Sequence, residues 1–408
     1  MLTRNGYKTQ DSKELKEQLT VKPNDYGFYK SPSFKVYRLG TSKSIYVPRF
    51  FGEMLGKPLD VRKEPKDASI SFRGILRDYQ TEALSKYDGH GVLSLPCGFG
   101  KTCTALAICA KYKTRTLIVV HKEFLANQWK ENIRQWCPGS SIGTIKGDTF
   151  DIEHDFIIGM IQTLSQRVFE KDAFDSIGMI VVDEAHHIGA PSFSQFMFKL
   201  CPKYTLGLTA TPERKDGLTR LLYWFLGPEF YSIVQNNLDN VIVYKIPFKS
   251  PLYKGYKSYV DIQSMIIDID NRNKIIYDIC INNTNRCILI LSDRRNHCET
   301  LQSMIPNSSL YMGGMKRDQL EDSEKSNVII GTYSLAHEGL DIKKLDMIIL
   351  ATPKADVKQS IGRIMRGSKD PVIYDIIDDW GPLYGMWNKR RDLYMDMGFT
   401  ITSYTIQQ

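Results

Sequence analysis

The feature that most constrains this chain is the junction spanning residues 91–112. Gly91 to Leu95 is a short apolar run of the kind that forms a buried strand. It leads directly into Pro96-Cys97-Gly98-Phe99-Gly100-Lys101-Thr102, and Thr102 to Tyr112 continues with helical spacing. A strand that ends in glycines and at once begins a helix lets backbone N–H groups close round a phosphate, and the helix N-terminus adds positive potential. Residue 95 is Leu, so the strict G-x-x-x-x-G-K-[ST] pattern is not met, but Gly98, Gly100, Lys101 and Thr102 keep its working part. Pro96, Cys97, Gly98, Phe99 and Gly100 are expected to form the cradle. Lys101 is expected to bind the β- and γ-phosphates of a nucleoside triphosphate, and Thr102 to ligate magnesium. Such a loop works at the carboxyl end of a parallel strand, so an α/β fold follows.

Two further stretches extend this chemistry. Asp183-Glu184-Ala185-His186 follows the apolar run Met179-Ile180-Val181-Val182. A carboxylate at a strand end can face the phosphate loop of a parallel sheet. Asp183 is expected to hold magnesium, largely through water, and Glu184 to orient and deprotonate the attacking water. Far downstream lies Gln359-Ser360-Ile361-Gly362-Arg363-Ile364-Met365-Arg366. Gln359, Gly362, Arg363 and Arg366 fall at i, i+3, i+4 and i+7, on one helical face. Two arginines and a glutamine there suit a polyphosphate, and an arginine on a transferring phosphoryl group is worth about 10³ to 10⁵ in rate. Three such pieces in this order point to a motor driven by ATP and magnesium.

At 408 residues the chain exceeds one ordinary core. Strand-like runs at Thr116–Val120, Phe156–Ile161, Met179–Val182 and Thr205–Leu208 alternate with helical stretches such as Arg77–Tyr87 and Phe124–Trp136. That rhythm implies parallel βαβ units. It breaks over 231–275, rich in Tyr, Lys, Asn and Ser, and resumes from Cys287 to Asp375. The expected domains are 1–70, 71–230 and 276–400, with 231–275 as a connector. Ser33 to Phe51 reads as two strands about a Gly40-Thr41-Ser42 turn. Met1 to Ile75 carries 15 Lys and Arg against 8 Asp and Glu, within a chain whose net charge is +8, and holds many aromatics. Cations with rings suit nucleic acid, although the same rings could form the segment's own core. The eight cysteines include no C-x-x-C pair, so reduced core thiols in a cytoplasm, nucleus or viral replication site are expected, and no metal beyond the nucleotide's magnesium. No apolar run is long enough for a membrane span, and the N-terminus does not read as a secretory signal. Trp129 and Trp136, and Trp380, Trp387 and Tyr394, read as packing residues, and Asp378-Asp379 as a strand end with a capping or surface turn and not a metal site.

With these residues in place, the chain from about Phe72 to Phe399 resembles the superfamily 2 helicases of the DEAH-box kind. The resemblance implies two RecA-like domains of the P-loop NTPase fold, each built on a parallel sheet, preceded by a small N-terminal α+β accessory domain. Gln80, in Leu76-Arg77-Asp78-Tyr79-Gln80, matches the glutamine that reads adenine. Val119-Val120-His121-Lys122 with Gln128-Trp129, and Gln162-Thr163-Leu164-Ser165, look like motifs Ia and Ib. Thr209-Ala210-Thr211-Pro212 looks like motif III, and Gly331-Thr332 with Glu338-Gly339-Leu340-Asp341 looks like motif V. By this likeness Gly339 and Asp341 join the nucleotide site, Arg363 and Arg366 are arginine fingers, and His121, Lys122, Gln128, Thr163 and Thr332 touch nucleic acid. Pro96-Cys97-Gly98 and Arg214-Lys215-Asp216-Gly217 are similar to the XPB/UvsW-like branch and its homologues in large DNA viruses. Lys215 stands where that branch has Glu, a departure in the stretch that serves strand separation there. Arg214 and Lys215 are expected to meet nucleic acid. The implied activity is ATP-dependent helicase or translocase action on duplex or branched DNA by a monomeric motor, alongside replication, repair or transcription proteins. Rival readings are a duplex translocase or transcript-release ATPase that does not separate strands, a non-hydrolysing scaffold, and the motor subunit of a restriction complex.

Overall fold

A computed structural model describes the chain except residues 25–30, 97, 188–189, 211–216, 234–240, 250–258, 335–341, 343, 363–369 and 405–408, together with the side chains at 187, 190, 259, 260, 317 and 359. The sequence expectations at Cys97, Arg214, Lys215, Gly339, Asp341, Arg363, Arg366 and the Gln359 side chain lie outside the described residues. The chain divides into two compact units, Met1–Val234 and Gln235–Gln408.

The first unit is built on an eight-stranded sheet. From one edge its strands run Thr149–Phe150, Ile142–Lys146, Phe156–Met160, Thr116–Val120, Met179–Val182, Tyr204–Thr209, His90–Ser94 and Glu229–Ser232. Every neighbouring pair is parallel except the antiparallel edge pair at Thr149–Phe150. The central strands are continuous apolar runs because helices cover both faces, giving one core cluster on each side. Helices Asp78–Lys86, Lys101–Tyr112 and Glu123–Trp136 lie where the spacing placed them, to within a residue or so at either end.

The N-terminal residues form a four-stranded antiparallel sheet, Leu2–Thr3, Gly6–Gln10, Ser44–Val47 and Arg38–Leu39, and a second pair, Thr20–Val21 with Phe34–Lys35. The expected hairpin is present, and Ser42 and Lys43 take positive φ in its turn. Among the described residues, several rings of this segment are packing residues. Phe51 meets Trp224 edge-on at 5.0 Å, and Leu2, Leu19, Ile45 and Val47 share a core with Cys201. Val21 and Val36 belong to the larger core with Phe193 and Phe225. Arg38 donates to the carbonyls of Phe198 and Gln195, and Arg49 to that of Lys203. This segment is thus a layer of the first unit, sharing its apolar core.

The second unit is a seven-stranded, all-parallel sheet in the order Ser308–Tyr311, Val328–Thr332, Ile288–Ser292, Met347–Leu350, Val372–Asp378, Ile242–Phe248 and Thr400–Ser403. The stretch expected as a connector therefore supplies one of its strands. Lys245 and Pro247 break the apolar run and hide that strand from a pattern search. Thr400–Ser403 pairs only with Ile242–Lys245, so Pro247 lies where a ladder on that side has ended. Tyr244 stacks on Tyr374 at 4.9 Å, and Lys245 reaches over the Trp387 ring. Trp387 and Tyr394 are buried on the helix Gly381–Asp396, as their spacing implied. Asp378 corrects its reading as a surface turn: it is 1% exposed and paired with the fully buried Arg272 at 3.2 Å. Among the described residues no helix is long and apolar enough to cross a membrane, and no cluster of His, Cys, Asp and Glu forms a metal cage.

Candidate functional site

The strand His90–Ser94 delivers the chain to the carboxyl edge of the first sheet. Leu95 directly follows it: the side chain is fully buried, and its N–H donates to Thr209 O at 3.1 Å. The departure from the strict loop pattern at this position is thus a core residue that packs at the end of the strand. The chain then turns through Gly98 (φ +84°) and Gly100 (φ +72°), both in the left-handed region that glycine tolerates. Gly100 caps the helix Lys101–Tyr112. Any side chain there would collide with Gln80, whose Nε2 lies 2.5 Å from the place a Cβ would occupy.

Gln80 and Tyr79 brace this loop from behind. The Gln80 amide is buried and donates to Phe99 O at 3.4 Å and Gly100 O at 3.2 Å, while its Oε1 accepts from the Arg77 N–H at 2.9 Å. Tyr79 Oη also donates to Phe99 O, and the two rings lie 5.7 Å apart. Gln80, expected to read adenine, is here bonded to the backbone of the loop expected to cradle phosphate. Pro96 O accepts from the Phe99 N–H at 3.2 Å, which closes the turn. Thr102 is half-buried in the first turn of the helix.

Lys101 Nζ donates to Leu95 O at 3.1 Å and lies 3.9 Å from Glu184 Oε1. Asp183 and Glu184 follow the strand Met179–Val182, two strands away from the loop strand. Asp183 is buried. Its Oδ1 accepts from the Glu184 N–H at 3.0 Å, and its Oδ2 from Trp129 Nε1 at 2.8 Å. Burial, and then the neighbouring Glu184 charge, raise its pKa to about 6, against the opposing pull of the Trp129 donor and Lys101. Glu184 sits at φ +45°, a left-handed conformation uncommon outside glycine. Its Oε2 is 3.5 Å from His186 Nδ1, which also lies 2.8 Å from Thr209 Oγ1. One lysine, two adjacent carboxylates and a glycine turn at a helix N-terminus thus converge at one edge of the sheet. Such a set can grip a polyphosphate and position a water.

Among the described residues, three of those expected to touch nucleic acid, His121, Lys122 and Thr163, follow strands at that edge. His121 and Lys122 follow the strand Thr116–Val120, and Thr163 follows Phe156–Met160. Gln162 Nε2 donates to His121 O at 2.9 Å, and Thr163 Oγ1 accepts from the Gly147 N–H. Gln128 is half-buried on the helix that Lys122 caps. In the second unit, Thr332 ends the strand Val328–Thr332, and Gln359 lies on the short helix Lys358–Ile361. Sequence reading missed Trp129 as a partner of Asp183. A buried indole N–H needs an acceptor, but nothing in the local pattern says which.

A family model described as "Type III restriction enzyme, res subunit" matches residues 73–214. A protein of Acanthamoeba polyphaga mimivirus named "Putative ATP-dependent RNA helicase L396" is 32% identical over 97% of this chain and 83% of its own length. This chain belongs to the superfamily 2 helicases. It is accordingly an ATP-hydrolysing helicase of that superfamily, with relatives in large DNA viruses. A second such helicase, "Putative helicase 161L" of Invertebrate iridescent virus 6, is 26% identical over 96% of both chains. Among solved structures, S. cerevisiae Dbp5 bound to RNA and ADP BeF3 overlays with a TM-score of 0.57 at 17% identity, covering 80% of this chain and 89% of that one. That likeness places the fold among two-domain RecA-like helicases.

Proposed function

We propose that this helicase couples ATP hydrolysis at the Lys101–Asp183–Glu184 site to movement along duplex or branched DNA. The observation that carries the site is the convergence of Lys101, Asp183 and Glu184 beside the left-handed Gly100, with Lys101 Nζ 3.9 Å from Glu184. The backbone from Pro96 to Gly100 cradles the phosphates, Lys101 binds them, and Glu184 holds and deprotonates the attacking water. Gln80 sets the loop's shape and is the residue assigned to adenine. Gln359, Arg363 and Arg366, with Gly339 and Asp341, are assigned to the phosphoryl group and its charge. His121, Lys122, Gln128, Thr163, Arg214, Lys215 and Thr332 are assigned to the nucleic-acid backbone. The Thr102 hydroxyl and the Asp183 carboxylate are assigned to magnesium, as hard oxygens of the kind it takes. A buried carboxylate with raised proton affinity is one that a nearby cation relieves. When bound, the ion would neutralise charge on the phosphates.

DNA is favoured by the likeness of Pro96-Cys97-Gly98 to the XPB/UvsW-like branch. RNA is the second reading, because the mimivirus relative is named an RNA helicase. ATPase rate measured alone and then with single-stranded DNA, duplex DNA, forks and RNA separates them. Stimulation by forks or duplex DNA above RNA is the expected result, and stimulation by RNA alone would replace the DNA reading. A strand-displacement assay run beside a triplex-displacement assay then separates unwinding from translocation.

A further inference from the structure

Asp183 is held from two directions. The Glu184 N–H, its chain neighbour, reaches Oδ1 at 3.0 Å. Trp129 Nε1 reaches Oδ2 at 2.8 Å from the helix Glu123–Trp136. Trp129 is 1% exposed and sits in the core with Ile133, Val120 and Val181. Its ring therefore cannot swing away from the carboxylate without opening the core. A carboxylate bonded at both oxygens is fixed in rotation, and each oxygen keeps lone pairs for further partners. The strand Met179–Val182 alone would leave the Asp183 side chain free to turn.

We infer that Trp129 is a positioning residue for the ATP site: its indole N–H fixes the Asp183 carboxylate in the orientation that receives the nucleotide's divalent cation. This rests on the reading of Asp183 as a ligand of that cation. Trp129 itself touches neither nucleotide nor cation and acts only through Asp183. Its ring also serves the core, so the test must separate the N–H from the ring. The helix that carries it begins just after His121 and Lys122 and includes Gln128. The residue that orients the carboxylate is thus built into the same rigid element as Gln128, directly after two further residues assigned to nucleic acid.

The experiment replaces Trp129 with β-(3-benzothienyl)alanine, which keeps the bicyclic shape and substitutes sulfur for the N–H. Trp129→Phe serves as a second variant, and thermal melting checks the fold of both. Binding of a fluorescent ATP analogue is titrated against Mg2+, and separately in EDTA, with no nucleic acid present. Loss of a residue that orients a metal ligand typically costs 10- to 100-fold in metal affinity. The half-saturating Mg2+ concentration should therefore rise about tenfold or more in the benzothienyl protein, while binding in EDTA stays close to that of wild type. Combined with Asp183→Ala, the Trp129 change should have no further effect on the Mg2+ dependence, because the two act as one unit. An unchanged Mg2+ dependence in a folded benzothienyl protein would overturn the inference, as would a full added effect on the Asp183→Ala background. Lys101→Ala is measured in parallel. Nucleotide binding that survives it would overturn the site reading and this inference with it, whereas its loss beside an unchanged benzothienyl protein overturns the inference alone.

Discussion

Asp183 and Asp378 occupy similar places in two similar sheets. Asp183 immediately follows the strand Met179–Val182, and Asp378 ends the strand Val372–Asp378. Both are buried, and both precede a second acid in sequence. Their partners differ in kind. Asp378 receives both Nε and Nη2 of Arg272 at 3.2 Å, and Arg272 also donates to Ala351 O. In the same strand Asp375 takes the Arg390 guanidinium at 2.7 and 2.8 Å and the Tyr394 hydroxyl at 2.9 Å. These carboxylates are closed off by permanent cations. Asp183 has neutral donors, an acidic neighbour, and no arginine bonded to it among the described residues. A buried acid that ends a strand is thus defined by what is bonded to it. Full neutralisation marks a structural acid, and incomplete neutralisation marks one suited to charge that arrives from outside.

Four experiments press on this contrast. The largest effects belong to the first unit. Glu184→Gln should keep ATP binding and lower turnover about 10²- to 10⁴-fold, the usual weight of a general base, as measured by phosphate release. Lys101→Ala should lose binding as well. A Glu184→Gln protein that turns over near the wild-type rate would remove Glu184 from that role. In the second unit the loss should appear as stability. Arg272→Met leaves Asp378 buried without its cation and should cost about 3 to 5 kcal/mol, read as a fall in melting temperature. Adding Asp378→Leu should recover much of it, and a double variant no better than the single one would argue that the ion pair is not the cause.

The third effect is smaller and shared by both units. His90 and His297 each have their pKa lowered to about 3, chiefly by burial and then by Arg49 and Arg272 respectively. A histidine whose folded pKa is depressed contributes stability that is complete above about 6.5 and is lost as pH falls toward about 3. Replacing His297 with Asn should flatten the acid loss of stability in that window. A melting temperature with unchanged pH slope would show that other groups govern it. Smallest is the Lys43→Gln, Lys57→Gln pair, at two exposed lysines of the N-terminal segment. If both meet DNA phosphates, the log–log salt slope of binding should become shallower by about 0.9 for each phosphate no longer neutralised. An unchanged slope would leave these lysines as solvated surface.

What was legible in the sequence was local. The strand–glycine–helix junction proposed as the phosphate loop declares itself within a dozen residues, because apolar strand, glycines and helix follow one another directly. Asp183-Glu184 stands out because a buried strand precedes it. The parts that escaped depend on partners distant in sequence. Trp129 and Asp183 are separated by 54 positions, and Arg272 and Asp378 by 106. Neither pairing has a spacing that repeats. The strand Ile242–Phe248 was hidden by its own Lys245 and Pro247, which a strand tolerates only where the sheet provides for them. In the N-terminal segment the aromatic count could not say whether the rings stack on bases or on one another. Phe51 against Trp224 decides that pair for packing. Cutting the chain at residue 67 would therefore also uncover Cys201 and Trp224, and salt dependence in point variants is the cleaner probe.

The Gln80 amide also bears on how this enzyme could change its diet of nucleotides. The side chain assigned to the base is at the same time the strut under the phosphate loop, bonded to Phe99 O and Gly100 O. Gly100, in turn, has no room for a methyl group because that amide fills the space. If Gln80 reads the base as assigned, base preference and phosphate grip are not independent dials. A substitution at Gln80 meant to admit GTP or CTP would also slacken the loop that all nucleoside triphosphates share. An engineered or natural shift in base preference would have to arrive with a compensating change around Phe99 and Gly100, which ties together two traits that selection would otherwise tune apart.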